Sequence, residues 1–139
     1  IIMKTIYPLT LVALFLAATT VSAARPANLA NTTWTLQVNG SIEPLTITTQ
    51  GGAGAPGAAN CRAITGAIRN LAEVRGWYCP STGRIHLVHT NMDSNRPVRV
   101  FTGNVSDDVS GQLLHMAGTM TVLNSAFGDL GEYNFSASQ

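Results

Sequence analysis

Residues that alternate between apolar and polar, in short runs cut by turn formers, constrain this chain more than any other feature. Trp34, Leu36 and Val38 share one face of a first strand, which stops at Asn39-Gly40-Ser41. Leu45, Ile47 and Thr49 mark a second. Such a period of two fits a half-buried strand, whose successive side chains point to opposite faces, and helical periodicity is scarce throughout. Gly51 to Asn60, GGAGAPGAAN, breaks both helix and strand and reads as a surface loop. Further strands are expected over Cys61–Ile68, Val74–Cys79, Arg84–Thr90, Val98–Gly103, Leu113–Leu123 and Tyr133–Ala137. Between the fourth and fifth, Pro80-Ser81-Thr82-Gly83 has proline and glycine where turn chemistry favours them. A helical turn over Ala67 to Arg75 is the one local alternative. Eight short strands at near-regular spacing predict an all-β meander, closed as a barrel or packed as a sandwich. Closure has the advantage of removing both exposed edges. At eight strands the interior is either filled by side chains or holds one small ligand.

The first 24 residues stand apart from this pattern. Lys4, the apolar run from Ile6 to Ala18 and the small residues at Val21-Ser22-Ala23-Ala24 have the layout of a secretory signal peptide, with an uncleaved anchor as the alternative. Residues 25–139 then form a single domain, secreted and free of the membrane once the leader is removed. Its charges are seven arginines against seven Asp and Glu, close to neutrality. That balance argues against a nucleic-acid or anionic-membrane partner, which would need a basic excess. Four glycosylation sequons begin at Asn31, Asn39, Asn104 and Asn134 and matter only in a host that glycosylates.

Cys61 and Cys79 are expected to pair. If the third and fourth strands form a hairpin turning at Asn70 and Leu71, the two cysteines lie opposite each other, close enough for a disulfide. A secreted chain favours that over a reactive thiol.

His86 and His89 are three apart on a strand, so they face opposite sides and cannot share a metal. No metal site and no cofactor are expected. Ile85, Leu87 and His89 form the more apolar face, which puts His89 inside, near a barrel mouth, or leaves it as a partly exposed strand end. Glu43, Glu73 and Glu132 sit beside turns, where a solvated carboxylate is the default. There is no G-x-S-x-G elbow and no phosphate-cradling loop, so an enzyme is not expected. Trp34 reads as a core residue at the bottom of the barrel. Met116, Gly118, Met120 and Val122 share one face of the seventh strand as packing.

The order Trp34-Thr35, Gly40-Ser41, Ile64-Thr65-Gly66, Val100-Phe101-Thr102-Gly103 and Tyr133-Asn134-Phe135 resembles the avidin/streptavidin family. The resemblance implies an eight-stranded antiparallel up-and-down β-barrel, with a ligand site at one open end and often a homo-oligomeric assembly. It brings biotin in as a ligand, but the family's site residues are largely replaced. Ile68 stands where the family has a tyrosine, His89 to Met92 and Gly118 to Thr121 cover two of its tryptophans, and no tryptophan follows Trp77. The expected ligand is therefore another small apolar or amphipathic molecule, bound without conversion through Ser41, Trp77, His89 and Thr102. The competing expectation is a secreted structural or interaction module, an inhibitor or assembly subunit, whose barrel is filled. A cavity of ~300 Å³ or more separates the two.

Overall fold

The computed structural model describes residues 25–52, 60–107 and 113–139. The expected leader and most of the Gly51–Asn60 loop lie outside that range. Eight antiparallel strands follow one another: β1 (Thr32–Val38), β2 (Ser41–Gln50), β3 (Arg62–Ile68), β4 (Ala72–Cys79), β5 (Arg84–Thr90), β6 (Pro97–Asp107), β7 (Leu114–Val122) and β8 (Gly131–Ser138). Each pairs with the next, and β1 pairs with β8 from Thr35↔Ser138 to Val38↔Phe135, which closes the barrel. The sandwich alternative is thereby excluded. The second, sixth and eighth strands run longer than the apolar alternation alone marks, because ladder hydrogen bonds continue into polar residues at their ends.

Local chemistry sets the turns. Asn39 and Gly40 both take positive φ (45° and 77°), the two-residue hairpin turn that an Asn-Gly pair favours. Gly83 (φ 75°) ends the β4–β5 turn, its N–H bonded to the carbonyl of Cys79 at 2.8 Å. Ala67 to Arg75 forms no helical turn. It belongs to a β3–β4 hairpin that bends on Arg69 and Asn70, both left-handed (φ 55° and 57°). The register of this hairpin places Arg62 opposite Tyr78, so Cys61 and Cys79 come together just beyond it and are joined as a disulfide.

Inward positions alternate along every strand and fill the barrel with apolar side chains. Trp34, Ile47, Tyr78 and Ile85 are fully buried towards one end, with Phe101, Leu87 and Met120 above them. Phe101 and Phe135 meet edge to face at 5.4 Å in the middle. Gly103 and Gly118 lie directly opposite each other beside them. A Cβ at Gly103 would strike the carbonyl oxygen of Ala117 and come within 3.1 Å of the Phe135 ring. These two glycines let β6 and β7 bend tightly around the core.

The two ends differ. At the lower end, residues 25–31 fold across the opening. Leu29 is fully buried, the Tyr78 hydroxyl donates to the Pro26 carbonyl at 2.7 Å, and Gln50 bonds both the Leu29 N–H and the Ala27 carbonyl. Trp34 Nε1 donates to Thr32 Oγ1, which in turn donates to the Leu29 carbonyl. At the upper end lie the β1–β2, β3–β4, β5–β6 and β7–β8 turns, the last carrying a short 3₁₀ turn, Ser125–Phe127.

Candidate functional site

Under the upper turns the barrel wall carries charge. Glu43, on β2, shares the inward parity of Leu45 and Ile47 and is 7% exposed. Arg99, on β6, shares the parity of Phe101 and is equally buried. His89, on β5, follows Ile85 and Leu87 inward and is 2% exposed. The pairing of β5 with β6 sets His89 directly opposite Arg99. There the register slips between His89 and Thr90, so Val98 and Arg99 are both buried although adjacent. This is the behaviour of a β-bulge, which re-aims side chains at a barrel rim.

The three side chains form one chain of hydrogen bonds. Arg99 Nη2 donates to Glu43 Oε2 at 3.0 Å, and Arg99 Nε donates to His89 Nδ1 at 3.0 Å. Arg69 donates from its turn to the other carboxylate oxygen, Oε1, at 2.9 Å. Its left-handed backbone is a conformation that non-glycine residues adopt only when their surroundings hold them there. The solvated Glu43 expected from its place beside a turn is thus corrected: two guanidiniums satisfy it and the barrel buries it.

A guanidinium N–H can only donate, so Nδ1 of His89 must be the acceptor. The neutral ring then carries its proton on Nε2, and that buried atom has no hydrogen-bond partner among the described residues. Burial, and next the neighbouring Arg99 charge, push the His89 pKa down to about 4, with Glu43 opposing. At neutral pH the imidazole is therefore uncharged and presents one unsatisfied N–H donor. Phe127 packs its ring edge to face against this imidazole at 5.5 Å. Two cavities flank Phe127, and Glu43 and Arg99 line both. One, of about 190 Å³, also touches Ser41, Met120 and Tyr133. The other, of about 310 Å³, also touches Ile68, Arg69 and Leu71.

Of the four expected ligand contacts, the structure brings Ser41 and His89 to this end. Trp77 and Thr102 lie on the outer wall. Trp77 stacks on His86 at 5.5 Å and 17°, and Thr102 Oγ1 lies 3.2 Å from His86 Nδ1, three residues in a row across β4, β5 and β6. His86 and His89 thus face opposite sides of the wall. The sequons place Asn31, Asn39, Asn104 and Asn134 at exposed positions. The residues missed from the sequence are Glu43, Arg69, Arg99 and Phe127. For Glu43 and Arg99 the signal was present, since each is in step with the buried residues of its own strand.

No family model matches the chain, and neither a curated protein nor a solved structure does.

Proposed function

We propose that the protein is a secreted, non-enzymatic binding barrel that takes a small ligand at its upper mouth, beneath Phe127. The observation that carries this reading is the unpartnered Nε2–H of His89. A buried donor without an acceptor costs about 1–3 kcal/mol, and an acceptor atom brought by a ligand would recover that loss. The two cavities beside Phe127 supply room for such a guest; His89 lines neither and is joined to them through Arg99 and Phe127, which line both. Binding without conversion is supported by what His89 touches: its hydrogen-bond partner is a guanidinium, not a hydroxyl or thiol that it could activate. The leader-like N-terminus and the Cys61–Cys79 disulfide support an extracellular setting. The resemblance to the avidin family supports the mouth as the binding end, while Ile68 and the missing tryptophans favour a ligand other than biotin.

The test is native mass spectrometry of residues 25–139 against biotin, fatty acids, fatty alcohols and lysophospholipids, paired with NMR of the His89 ring. A one-to-one adduct that shifts the His89 Nε2 resonance is the expected result. If no compound is retained and the resonance stays in place, the reading fails. The same spectra give the number of copies in any homo-oligomer.

The packed interior favours a second reading, a protein-interaction module whose barrel is scaffold alone. Under that reading the mouth would stay empty against every compound of the series.

A further inference from the structure

The exposed apolar residues are distributed unevenly over the molecule. Among the described residues seven large hydrophobic side chains are exposed, and one of them, Leu113, lies at the lower end. The other six, Ile42, Leu71, Met92, Leu123, Phe127 and Leu130, sit on or beside the four upper turns. They form an apolar rim around a charged floor. In the cavity beside Arg69 that floor holds Arg69 and Arg99 against the single carboxylate of Glu43 and so carries one surplus positive charge, whereas Asp129 adds a carboxylate to the cavity on the other side of Phe127.

Resting on the proposed mouth site, we infer that its ligand is an amphiphile with a single carboxylate, bound head inward between Arg69 and Arg99, with its apolar tail against the rim. Each part of the floor selects for this class. A carboxylate offers its acceptor oxygens to the two guanidiniums, and such charge-assisted bonds are the strong ones. A cation would meet two guanidiniums. A dianion would exceed the single surplus charge and face Glu43. A purely apolar guest would pair with neither guanidinium. The cavity beside Arg69, about 310 Å³, is walled by Ile68, Leu71 and Phe127 and floored by Arg69, Arg99 and Glu43. Its size is at the lower limit for a small-molecule site, so a tail of several methylenes must emerge onto the rim. Exposed apolar groups clustered at one end mark an interaction surface of this kind.

The experiment is isothermal titration of the disulfide-intact protein with octanoate, with its neutral counterpart octanamide and with acetate. Three proteins are compared: the unaltered chain, Arg69→Gln and Leu71→Ser. Both side chains are largely exposed, so both variants are expected to fold. Octanoate should bind one to one and about tenfold tighter than octanamide, an advantage that Arg69→Gln should remove. Leu71→Ser should weaken octanoate and octanamide alike, and acetate should bind far more weakly than octanoate. The inference is overturned if octanamide equals octanoate, if Arg69→Gln changes nothing, or if acetate binds as well as octanoate. If octanoate fails while a fatty alcohol or biotin shifts the His89 resonance, the head-group assignment falls and the mouth reading stands. If no compound shifts it, both fall.

Discussion

At the lower end of the barrel, Tyr78 and Gln50 each donate a hydrogen bond to the chain that crosses the opening, Trp34 reaches it through Thr32, and every group in these bonds is neutral. At the upper end, Glu43 and Arg99 hold charge in a comparable degree of burial beside the neutral His89, whose Nε2 donor is left over among the described residues. Neutral bonds of the first kind add to apolar burial at little desolvation cost. Charges of the second kind must first be taken out of water, and well-packed apolar residues in their place are often neutral or stabilising. The hydrogen-bonded plug of the lower end is thus built in the way that favours stability, although at that end Arg62 Nε and Asp107 Oδ1 are also buried without a partner among the described residues. The upper end is built in a way that stability alone does not call for.

Deletions at the two ends should therefore look alike singly and differ on repair. Trp34→Ala removes the largest fully buried side chain of the lower end and should cost about 3–5 kcal/mol in denaturant unfolding. Glu43→Ala leaves the Arg99 guanidinium buried without its carboxylate and should cost a similar amount, about 3–5 kcal/mol. The triple replacement Glu43→Leu, His89→Leu and Arg99→Met should return stability to that of the unaltered protein or above it. A triple variant as unstable as Glu43→Ala would show the upper charges to be structural, and the contrast between the ends would collapse.

How far this contrast could be read in the sequence depended on what each feature needed to be visible. Strand alternation is local, so eight strands, the inward side of β5 and the core position of Trp34 were legible. The disulfide followed from one hairpin register. Trp77 and Thr102, expected as ligand contacts, fall on the outer wall because their neighbours Tyr78 and Phe101 take the inward positions. Glu43 was assigned by its neighbouring turn, although Leu45 and Ile47 lie in step with it. The meeting of Glu43 with Arg99, 56 positions apart, was out of reach, because it depends on the barrel curving β2 and β6 towards each other across the mouth. No local pattern encodes that curvature. Phe127 meets His89 across 38 positions from a short turn capped by Asn124, so its covering role had no local signal of its own.

The ends should also separate by pH. His89 titrates near 4 in the fold against about 6.5 in the unfolded chain, so the unfolded state takes up protons first as pH falls. Its contribution is complete above pH 6.5 and is lost on the way down to about 4, at most about 3 kcal/mol. Tyr78 has the opposite sign. Burial raises its pKa to about 12, with Asp107 adding to the rise and Arg25 opposing it. Its contribution is complete below pH 10 and is lost as pH climbs towards 12, at most about 3 kcal/mol. Unfolding free energies measured across both windows should show His89→Gln flattening the acid limb alone and Tyr78→Phe the alkaline limb alone. A variant that altered both limbs would mean that the two ends unfold as a coupled pair.

The smallest effect on stability, and the sharpest on the mouth, is expected from Phe127→Ala. Its side chain is 37% exposed and it belongs to a three-residue 3₁₀ turn with no buried residue, so its removal should change unfolding free energy by less than about 1 kcal/mol. The same ring covers the His89 imidazole from above. Without it, water should reach Nε2, relieve the burial that dominates the depressed pKa, and stabilise the charged ring. Proton titration of His89 by NMR should then move from about 4 towards 6.5 while Tyr78 is unaffected. If the His89 pKa stays near 4 in this variant, the barrel wall and Arg99 account for the burial, and Phe127 is no cover for the mouth.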